Sequence, residues 1–292
     1  MTIMDNSAIL KSKLSKDGWY PEDSNRLLSA LDKMLTGTTF AEPVKAMICP
    51  HAGYIYSGNV LGKAAINISK NHYSKIIILG PCHYAAVKDL AILTNYQSIQ
   101  TPIGTSNILS DDVDKLIKHP LFEIEDKFHK AEHSIQMQIP VLQYLCPETP
   151  ILPIIFGSLS WEASKEIANQ ITQIIDNKTL IIVSSDFTHY GDNFDFAPFT
   201  DRSKGTVREQ IESHDMNAIN PILANDINSY QDFIRTENHT ICGCYAIEVL
   251  MQLCKNNQTK FKLCDYKTSG DLTGDYSHSV SYAAIVALGR WE

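Results

Sequence analysis

Three apolar segments of this chain each run directly into a polar residue that can bind a metal or move a proton. The segments are 46–50 before His51, 75–80 before His83, and 179–184 before Asp186 and His189. Each is short and almost continuously apolar, which is typical of a strand whose two faces are both buried. Because helical patterns separate these strands, the chain is predicted to fold as an α/β protein.

The remaining elements follow from the spacing of apolar residues. Further strands are predicted at 90–94, 151–156, 261–266 and 280–288. Helices are predicted at 59–69, 134–145, 161–175, 203–219, 227–235 and 242–253. These elements predict a single domain over 1–292, with a central mostly parallel or mixed sheet and helices on both faces. Residues 1–17 carry no motif and are expected to form a peripheral N-terminal segment.

Composition argues against several classes of protein. The net charge of −8 lacks the basic surface that a non-specific nucleic-acid binder needs, so no nucleic-acid partner is expected. No membrane span is expected, because no apolar run reaches about 18 residues, and the first residues lack a signal-peptide core. The seven cysteines form no CxxC pair, which favours a reducing compartment over a disulfide framework. The expected location is cytoplasmic.

The polar residues after the three strands are expected to converge. Parallel strands place their carboxyl ends at one edge of the sheet, where ligands bind. His51, His83, Asp186 and His189 would then meet there although they lie far apart in sequence. A single histidine after a strand is more often a hydrogen-bonded loop residue. Three such strand ends together favour a functional site.

Two further residues have both a functional and a structural interpretation. His133 precedes a predicted helix, whose dipole would lower the pKa of the imidazole and suit it as a base. Alternatively, Glu132 and Ser134 simply cap that helix. Cys242 also precedes a predicted helix, which biases a thiol toward the thiolate form, and Gly243 beside it permits close approach. Alternatively, Cys242 is a small buried hydrophobic residue.

Two histidines and one anionic ligand form the open-sided set that non-haem Fe(II) enzymes use. With a thiolate as the third ligand, Cu(I) or Zn²⁺ would also be admitted. Metal ligands must lose their protons, so the metal affinity is expected to fall as the pH drops through the histidine range.

The motifs along nearly the whole chain resemble those of the Memo family, also named AmmeMemoRadiSam system protein B. They are GWYP (18–21), PHAGYIYSG (50–58), ILGPCH (78–83), TPIG (101–104), EHSIQMQIP (132–140), LPIIFG (152–157), VSSDFTHYG (183–191), HTICG (239–243) and SVSYAAIVAL (279–288). The resemblance implies a fold similar to that of the class III extradiol, LigB-like dioxygenases, with a metal site at one edge of the sheet.

The resemblance also implies roles for individual residues. Matched by motif, His51, His83 and Cys242 correspond to the metal ligands. Asp186, His189 and His133 correspond to the remaining pocket residues, with catalytic roles in proton handling. The dioxygenases use a carboxylate as the third ligand where this chain has Cys242, so catechol cleavage does not simply transfer.

Three functions are therefore weighed. The first is a metal-dependent, dioxygenase-like redox enzyme that uses Fe(II), or else Cu or Zn, on an unknown small molecule. The second is a non-catalytic binding or adaptor protein whose pocket takes a metal or a peptide. Its partners would be the radical-SAM and companion proteins that the name of the system implies. The third is a metal-free or zinc hydrolase with Cys242 or Ser185 as the nucleophile.

Overall fold

A computed structural model describes residues 9–68, 72–201, 203, 205–255 and 259–292. The strands in these ranges are β1 Ile9–Lys11, β2 Val44–Cys49, β3 Lys75–Pro81, β4 Ala91–Leu93, β5 Ser98–Thr101, β6 Gly104–Asn107, β7 Phe122–Ile124, β8 Ile151–Phe156, β9 Thr179–Ser184, β10 His189–Tyr190, β11 Lys260–Thr268 and β12 Ser279–Leu288. The helices are α1 Ser24–Met34, α2 Tyr54–Ala65, α3 Ser110–Leu116, α4 Asp126–Ala131, α5 His133–Gln136, α6 Ile139–Leu145, α7 Trp161–Thr172, α8 Val207–Ala224, α9 Ile227–Thr236, α10 Cys244–Cys254 and α11 Gly270–Thr273.

The main sheet is mixed, which is one of the two predicted arrangements. Its strand order is β10-β12-β2-β9-β3-β8-β4-β7, and β11 pairs with β12. The central strands β2, β9, β3 and β8 are parallel. The flanking strands β12 and β4 run antiparallel to their neighbours β2 and β8. A smaller sheet consists of β1, β5 and β6.

Helices cover the central strands, as the continuous apolar pattern predicts. Every residue of β2, β8 and β9 is buried, so both faces of the sheet are shielded from water there. Helix α2 packs against β2, β11 and β12, whereas α10 packs against β3 and β9. The predicted single α/β domain with flanking helices is therefore confirmed.

Most predicted elements are present, with shifted ends. Strands β8 and β9 match their predicted bounds. The predicted helix at 134–145 is divided into α5 and α6, because Pro140 has no N–H to continue the α-helical hydrogen bonds. Helix α2 begins at Tyr54, earlier than predicted, and the predicted end of that helix at Ser69 lies outside the described residues.

The start of α8 is set by its cap rather than by its apolar pattern. Thr206 and Glu209 form a capping box, so the helix begins at Val207 and not at 203 as predicted. The first strand, β1, lies within the segment predicted to be peripheral. It pairs with β5, and Leu10 and Leu14 are buried in the main core. Residues 1–8 of that segment lie outside the described part of the chain.

Among the helices of the described residues, none combines the length and the apolar character that crossing a bilayer requires.

The packing of α1 against α2 depends on the glycine at position 62. A Cβ atom on Gly62 would lie 1.9 Å from the carbonyl oxygen of Met34, the last residue of α1. Gly62→Ala is therefore expected to lower the free energy of unfolding by about 1–3 kcal/mol, the usual cost of overpacking. Urea denaturation measures this change.

Gly104→Ala is the matched control for this substitution. The nearest atom to a Cβ on Gly104 would be in the side chain of Gln143, at 3.9 Å, so the variant should keep the wild-type stability. Alanine is the better helix former, so a Gly62→Ala protein as stable as the wild type would contradict the proposed close contact.

Candidate metal centre

The loops after β2 and β3 meet the segment before α10 and bring three potential metal ligands together. The ligand atoms of His51, His83 and Cys242 all lie within 4.8 Å of one another. The Sγ atom of Cys242 is 3.3 Å from Nε2 of His51. His51 is buried, Cys242 is partly buried and His83 is exposed, so the cluster is reachable from one side. The predicted convergence of the two histidines is observed, and Cys242 joins them.

His51 is kept neutral by its surroundings. Burial, followed by the nearby charge of His83, lowers its pKa well below the usual value. Its Nδ1 atom lies 2.9 Å from the hydroxyl of Ser184, the last residue of β9. A neutral imidazole held at one nitrogen can offer the other to a metal. Ser184 is a site residue that the sequence analysis missed.

His83 is held by Glu132, another residue whose role at the site was missed. The Glu132 carboxylate accepts the backbone N–H of His83 at 2.7 Å and lies 2.8 Å from Nδ1. Burial alone would raise the pKa of Glu132, but its hydrogen bonds and the charge of His83 outweigh burial and lower this pKa to about 2. An ionised carboxylate only accepts hydrogen bonds, so Nδ1 of His83 carries a proton, and in the neutral imidazole the lone pair is on Nε2.

Glu132 also caps α5, as the structural interpretation of this segment predicts. Its side chain accepts the backbone N–H of Ser134 at 2.9 Å. Capping and histidine binding are therefore carried out by the same carboxylate, and neither interpretation excludes the other.

Cys242 is brought to the cluster by the glycine that follows it. A Cβ atom on Gly243 would lie 2.5 Å from Cβ of Ser185, so this position needs glycine for the close approach that the sequence predicts. The backbone N–H of Asp186 donates to the Cys242 sulfur at 3.2 Å. These contacts fix the thiol beside His51.

The predicted bias of Cys242 toward the thiolate form is wrong for the protein without metal. Burial, followed by the charge of Asp186, raises the pKa of the thiol well above its usual value. Helix α10 begins only at Cys244, so Cys242 precedes its first turn. The helix dipole acts mainly within that turn, so its effect on the Cys242 thiol is weak. The thiol must therefore lose a proton before it can bind a metal.

Asp186 holds the backbone of His51 rather than an imidazole. Its Oδ1 atom accepts the His51 N–H at 2.8 Å, whereas Oδ2 is 4.0 Å from Nε2. Its predicted role of orienting an imidazole belongs instead to Ser184 and Glu132. Burial raises the pKa of Asp186, and the charge of His189 opposes this effect.

His189 presents one nitrogen that is free to accept a proton. Its Nδ1 atom lies 3.0 Å from two carbonyl oxygens, those of Phe187 and Thr240. Because carbonyls only accept, Nδ1 carries the proton and Nε2 has the lone pair. Thr240 also binds both backbone groups of His189 through its hydroxyl, which joins the HTICG segment to the loop after β9.

His133 is the first residue of α5 and lies against the cluster. Its ring centroid is 4.5 Å from that of His83 and 4.7 Å from that of Trp19. Its pKa is lowered to about 3, in the predicted direction. The largest cause is burial, followed by the charge of His51, rather than the helix dipole that the sequence suggested.

The third predicted function, hydrolysis, finds little support at Ser185. The Ser185 hydroxyl donates to the carbonyl of Asp186 at 2.8 Å and accepts the N–H of Gly243 at 3.0 Å. Within the described residues, no imidazole hydrogen bonds to it. A serine nucleophile needs a neighbouring base, and the raised pKa of Cys242 is unfavourable for a thiolate nucleophile.

Fold and site together define an α/β protein with a candidate centre of two histidines and one cysteine at the carboxyl ends of its strands. Residues 17–286 match the family described as Memo-like protein. The chain therefore belongs to the Memo family, as the motifs predict.

Relatives from archaea and animals match most of the chain. A MEMO1 family protein of Nitrosopumilus maritimus is 36% identical over 84% of this chain and 84% of its own length. A MEMO1 family protein of Thermoplasma volcanium is 32% identical over 92% of this chain and 95% of its own length. Protein MEMO1 of Xenopus tropicalis is 29% identical over 96% of this chain and 98% of its own length.

A solved structure shares the fold at low sequence identity. The crystal structure of an uncharacterized protein from Escherichia coli K12 matches with a TM-score of 0.50 and 11% identity, covering 84% of this chain and 100% of that one. This similarity concerns the fold alone.

The low pKa of Glu132 predicts how stability depends on pH. Its pKa is about 2 in the folded protein, against an ordinary value of 4.5. The stabilisation is therefore present above pH 4.5 and is lost as the pH falls toward 2. In Glu132→Gln this acid-dependent loss, about 3 kcal/mol in the wild type, should be absent from the pH dependence of the unfolding free energy.

Glu123→Gln, at an exposed position in β7, is the control and should retain the wild-type pH profile. Identical acid profiles for the wild type and Glu132→Gln would mean that Glu132 is not ionised against His83.

Proposed function

We propose that this protein binds a redox-active metal, Fe(II) in the first place, through His51, His83 and Cys242. Its function would be dioxygenase-like redox chemistry on a small molecule. The observation that carries the proposal is the approach of the three ligand atoms to within 4.8 Å of one another. Membership of the Memo family is compatible with this site but does not identify a metal or a reaction.

The chemistry of the three side chains fits such a metal. Glu132 holds Nδ1 of His83, which leaves Nε2 as the nitrogen that can bind a metal, and burial favours the neutral form of His51. A sulfur ligand beside two imidazoles suits iron, copper or zinc better than magnesium or calcium. When bound, non-haem iron would supply redox chemistry and open positions for oxygen or a substrate.

The other residues of the pocket would handle protons. His189 can take up a proton at Nε2, because Nδ1 already donates to two carbonyls. Asp186 lies close enough to His189 for the two side chains to interact electrostatically. His133, whose pKa is lowered to about 3, is a neutral imidazole near neutral pH and can accept a hydrogen bond from a substrate.

A second candidate function is a binding or adaptor protein that uses the same region. A cavity of about 630 Å³ lies beside the site, and Trp19 lines it while also packing on His133. Ile55, which lines the same cavity, is 78% exposed, and Tyr84 near His133 is 59% exposed. A peptide or a partner protein that entered this cavity would cover the exposed side chain of Ile55. The radical-SAM protein and the companion protein that the name of the AmmeMemoRadiSam system implies are the proposed partners.

The substitution His51→Ala distinguishes the enzyme from the adaptor, because only the enzyme should lose turnover of a substrate. A substrate that the wild-type protein turns over and the His51→Ala protein does not would favour the enzyme. A partner that binds both proteins equally, with no turnover by either, would favour the adaptor.

Anaerobic reconstitution tests the metal site directly. The wild-type protein is expected to take up one Fe(II) per chain, measured by metal analysis after gel filtration. His51→Ala, His83→Ala and Cys242→Ser should each lose stoichiometric binding, because each removes one ligand.

His119→Ala and Cys264→Ser are matched controls, since both residues are partly exposed and neither belongs to the cluster. Controls that lose the metal equally, or a wild-type protein that takes up no iron or copper, would rule out the proposed centre.

The pH dependence of binding should be dominated by the thiol. The pKa of Cys242 is raised and that of His51 is lowered, so of these two ligands only the thiol has a proton to release on binding in the neutral range. This changes the earlier expectation, which attributed the dependence to histidines. Fe(II) affinity should rise roughly tenfold per pH unit between pH 7 and 8.5, as one proton is released.

Cys242→Asp supplies a carboxylate, whose intrinsic pKa lies several units below that of a thiol, so its affinity should depend less steeply on pH than that of the wild type. Competition with a chelator of known affinity measures both proteins. A flat profile for the wild type would show that Cys242 does not bind the metal as a thiolate.

A further inference from the structure

A buried hydrogen-bond network behind His51 begins at Gln138. The Nε2 atom of Gln138 donates to the carbonyl of Pro50 and to the hydroxyl oxygen of Ser184, both at 2.9 Å. The Pro50 carbonyl can only accept, so the NH₂ group of the amide, and not its oxygen, must face this pair. Gln138 is 1% exposed and Ser184 is fully buried, so both side chains are shielded from bulk solvent.

The direction of the Ser184 hydroxyl follows from these contacts. The hydroxyl O–H donates to the carbonyl oxygen of Ser134 at 2.7 Å, and this bond uses the only proton of the hydroxyl. One of its lone pairs accepts from Gln138. The remaining lone pair faces Nδ1 of His51 at 2.9 Å, so that nitrogen must be the donor.

We propose that Ser184 is a positioning residue that holds His51 in the tautomer protonated at Nδ1, with Gln138 and the Ser134 carbonyl directing its hydroxyl. This tautomer leaves the lone pair of Nε2 facing Cys242 Sγ at 3.3 Å. The inference deepens the proposed function, and it rests on that function only for the consequence on metal binding.

A buried, unpaired oxygen atom of Gln138 supports this role, because such an atom lowers the stability of the folded protein. Its Oε1 atom is buried and has no hydrogen-bond partner within the described part of the chain. An apolar side chain of similar length would fill the same space without leaving a buried acceptor unpaired. The N–H groups that Gln138 directs at Pro50 and Ser184 therefore account for an amide at this position, whereas packing alone does not.

Ser134 connects this network to the second histidine. Its backbone N–H donates to the carboxylate of Glu132, which holds His83, and its carbonyl accepts from Ser184, which holds His51. Both ligand histidines are thus protonated at Nδ1 and oriented through one residue of α5. An outer-shell hydrogen bond of this type sets both the orientation and the basicity of a metal-binding histidine.

The tautomer can be measured without any metal. Protein labelled with ¹⁵N in its histidines is examined metal-free at pH 8, where long-range ¹H–¹⁵N spectra distinguish protonated from unprotonated ring nitrogens. The His51 signals are assigned by their loss in His51→Gln. In the wild type, Nδ1 of His51 should be protonated and Nε2 unprotonated.

Ser184→Ala removes the acceptor of Nδ1 and should shift His51 toward the tautomer protonated at Nε2. Fe(II) affinity should then fall roughly ten- to a hundredfold, as expected for loss of an outer-shell partner. Ser164→Ala is the control, because Ser164 is an equally buried serine on α7 and hydrogen bonds to Trp161. It should change neither the tautomer nor the affinity.

A wild-type His51 protonated at Nε2 would overturn the inference, as would a Ser184→Ala protein with unchanged tautomer and affinity. The wild-type spectrum tests the inference even when Ser184→Ala does not fold. A wild-type protein that shows the expected tautomer but binds no metal would refute the proposed function and leave the assignment of the tautomer intact.

Discussion

The candidate site depends on the hydrogen bonds of one buried carboxylate, that of Glu132. It accepts hydrogen bonds from the backbone of His83, from the backbone of Ser134 and from Nδ1 of His83. These contacts join the loop after β3 to the short helix α5. A buried carboxylate is stable only when its lone pairs are occupied, and here the partners that occupy them also orient a histidine. The same carboxylate therefore caps α5 and holds the side chain of His83.

Burial favours the uncharged form of three side chains at the candidate site. Desolvation lowers the pKa of His51 and His133 and raises the pKa of Cys242, so neutral forms of all three are favoured. A bound cation would reverse the balance at the sulfur, because it stabilises the thiolate that burial opposes. Burial thus acts in opposite directions on the two kinds of side chain. It favours the imidazole form that could bind a metal, whereas it opposes the thiolate form that a metal would need.

Much of the fold followed from local pattern. Continuous apolar runs identified β2, β3, β8 and β9, because strands covered on both faces leave no polar positions. Short elements such as β5, β6 and α3 were missed, since their sequences lack a long apolar period. The division between α5 and α6 was also missed, although Pro140 was a visible signal.

By itself, the sequence determined the family, the strand ends and the two histidines that follow them, because these features depend on neighbouring residues in the chain. Only the tertiary structure decided which groups hold those histidines. Ser184 and Gln138 appear in the sequence as an ordinary strand residue and an ordinary helix residue. Their roles arise because hydrogen bonds act over about 3 Å in space, whatever the separation along the chain. The protonation state of Cys242 was decided in the same way, since it follows from burial and from Asp186 rather than from the adjacent helix.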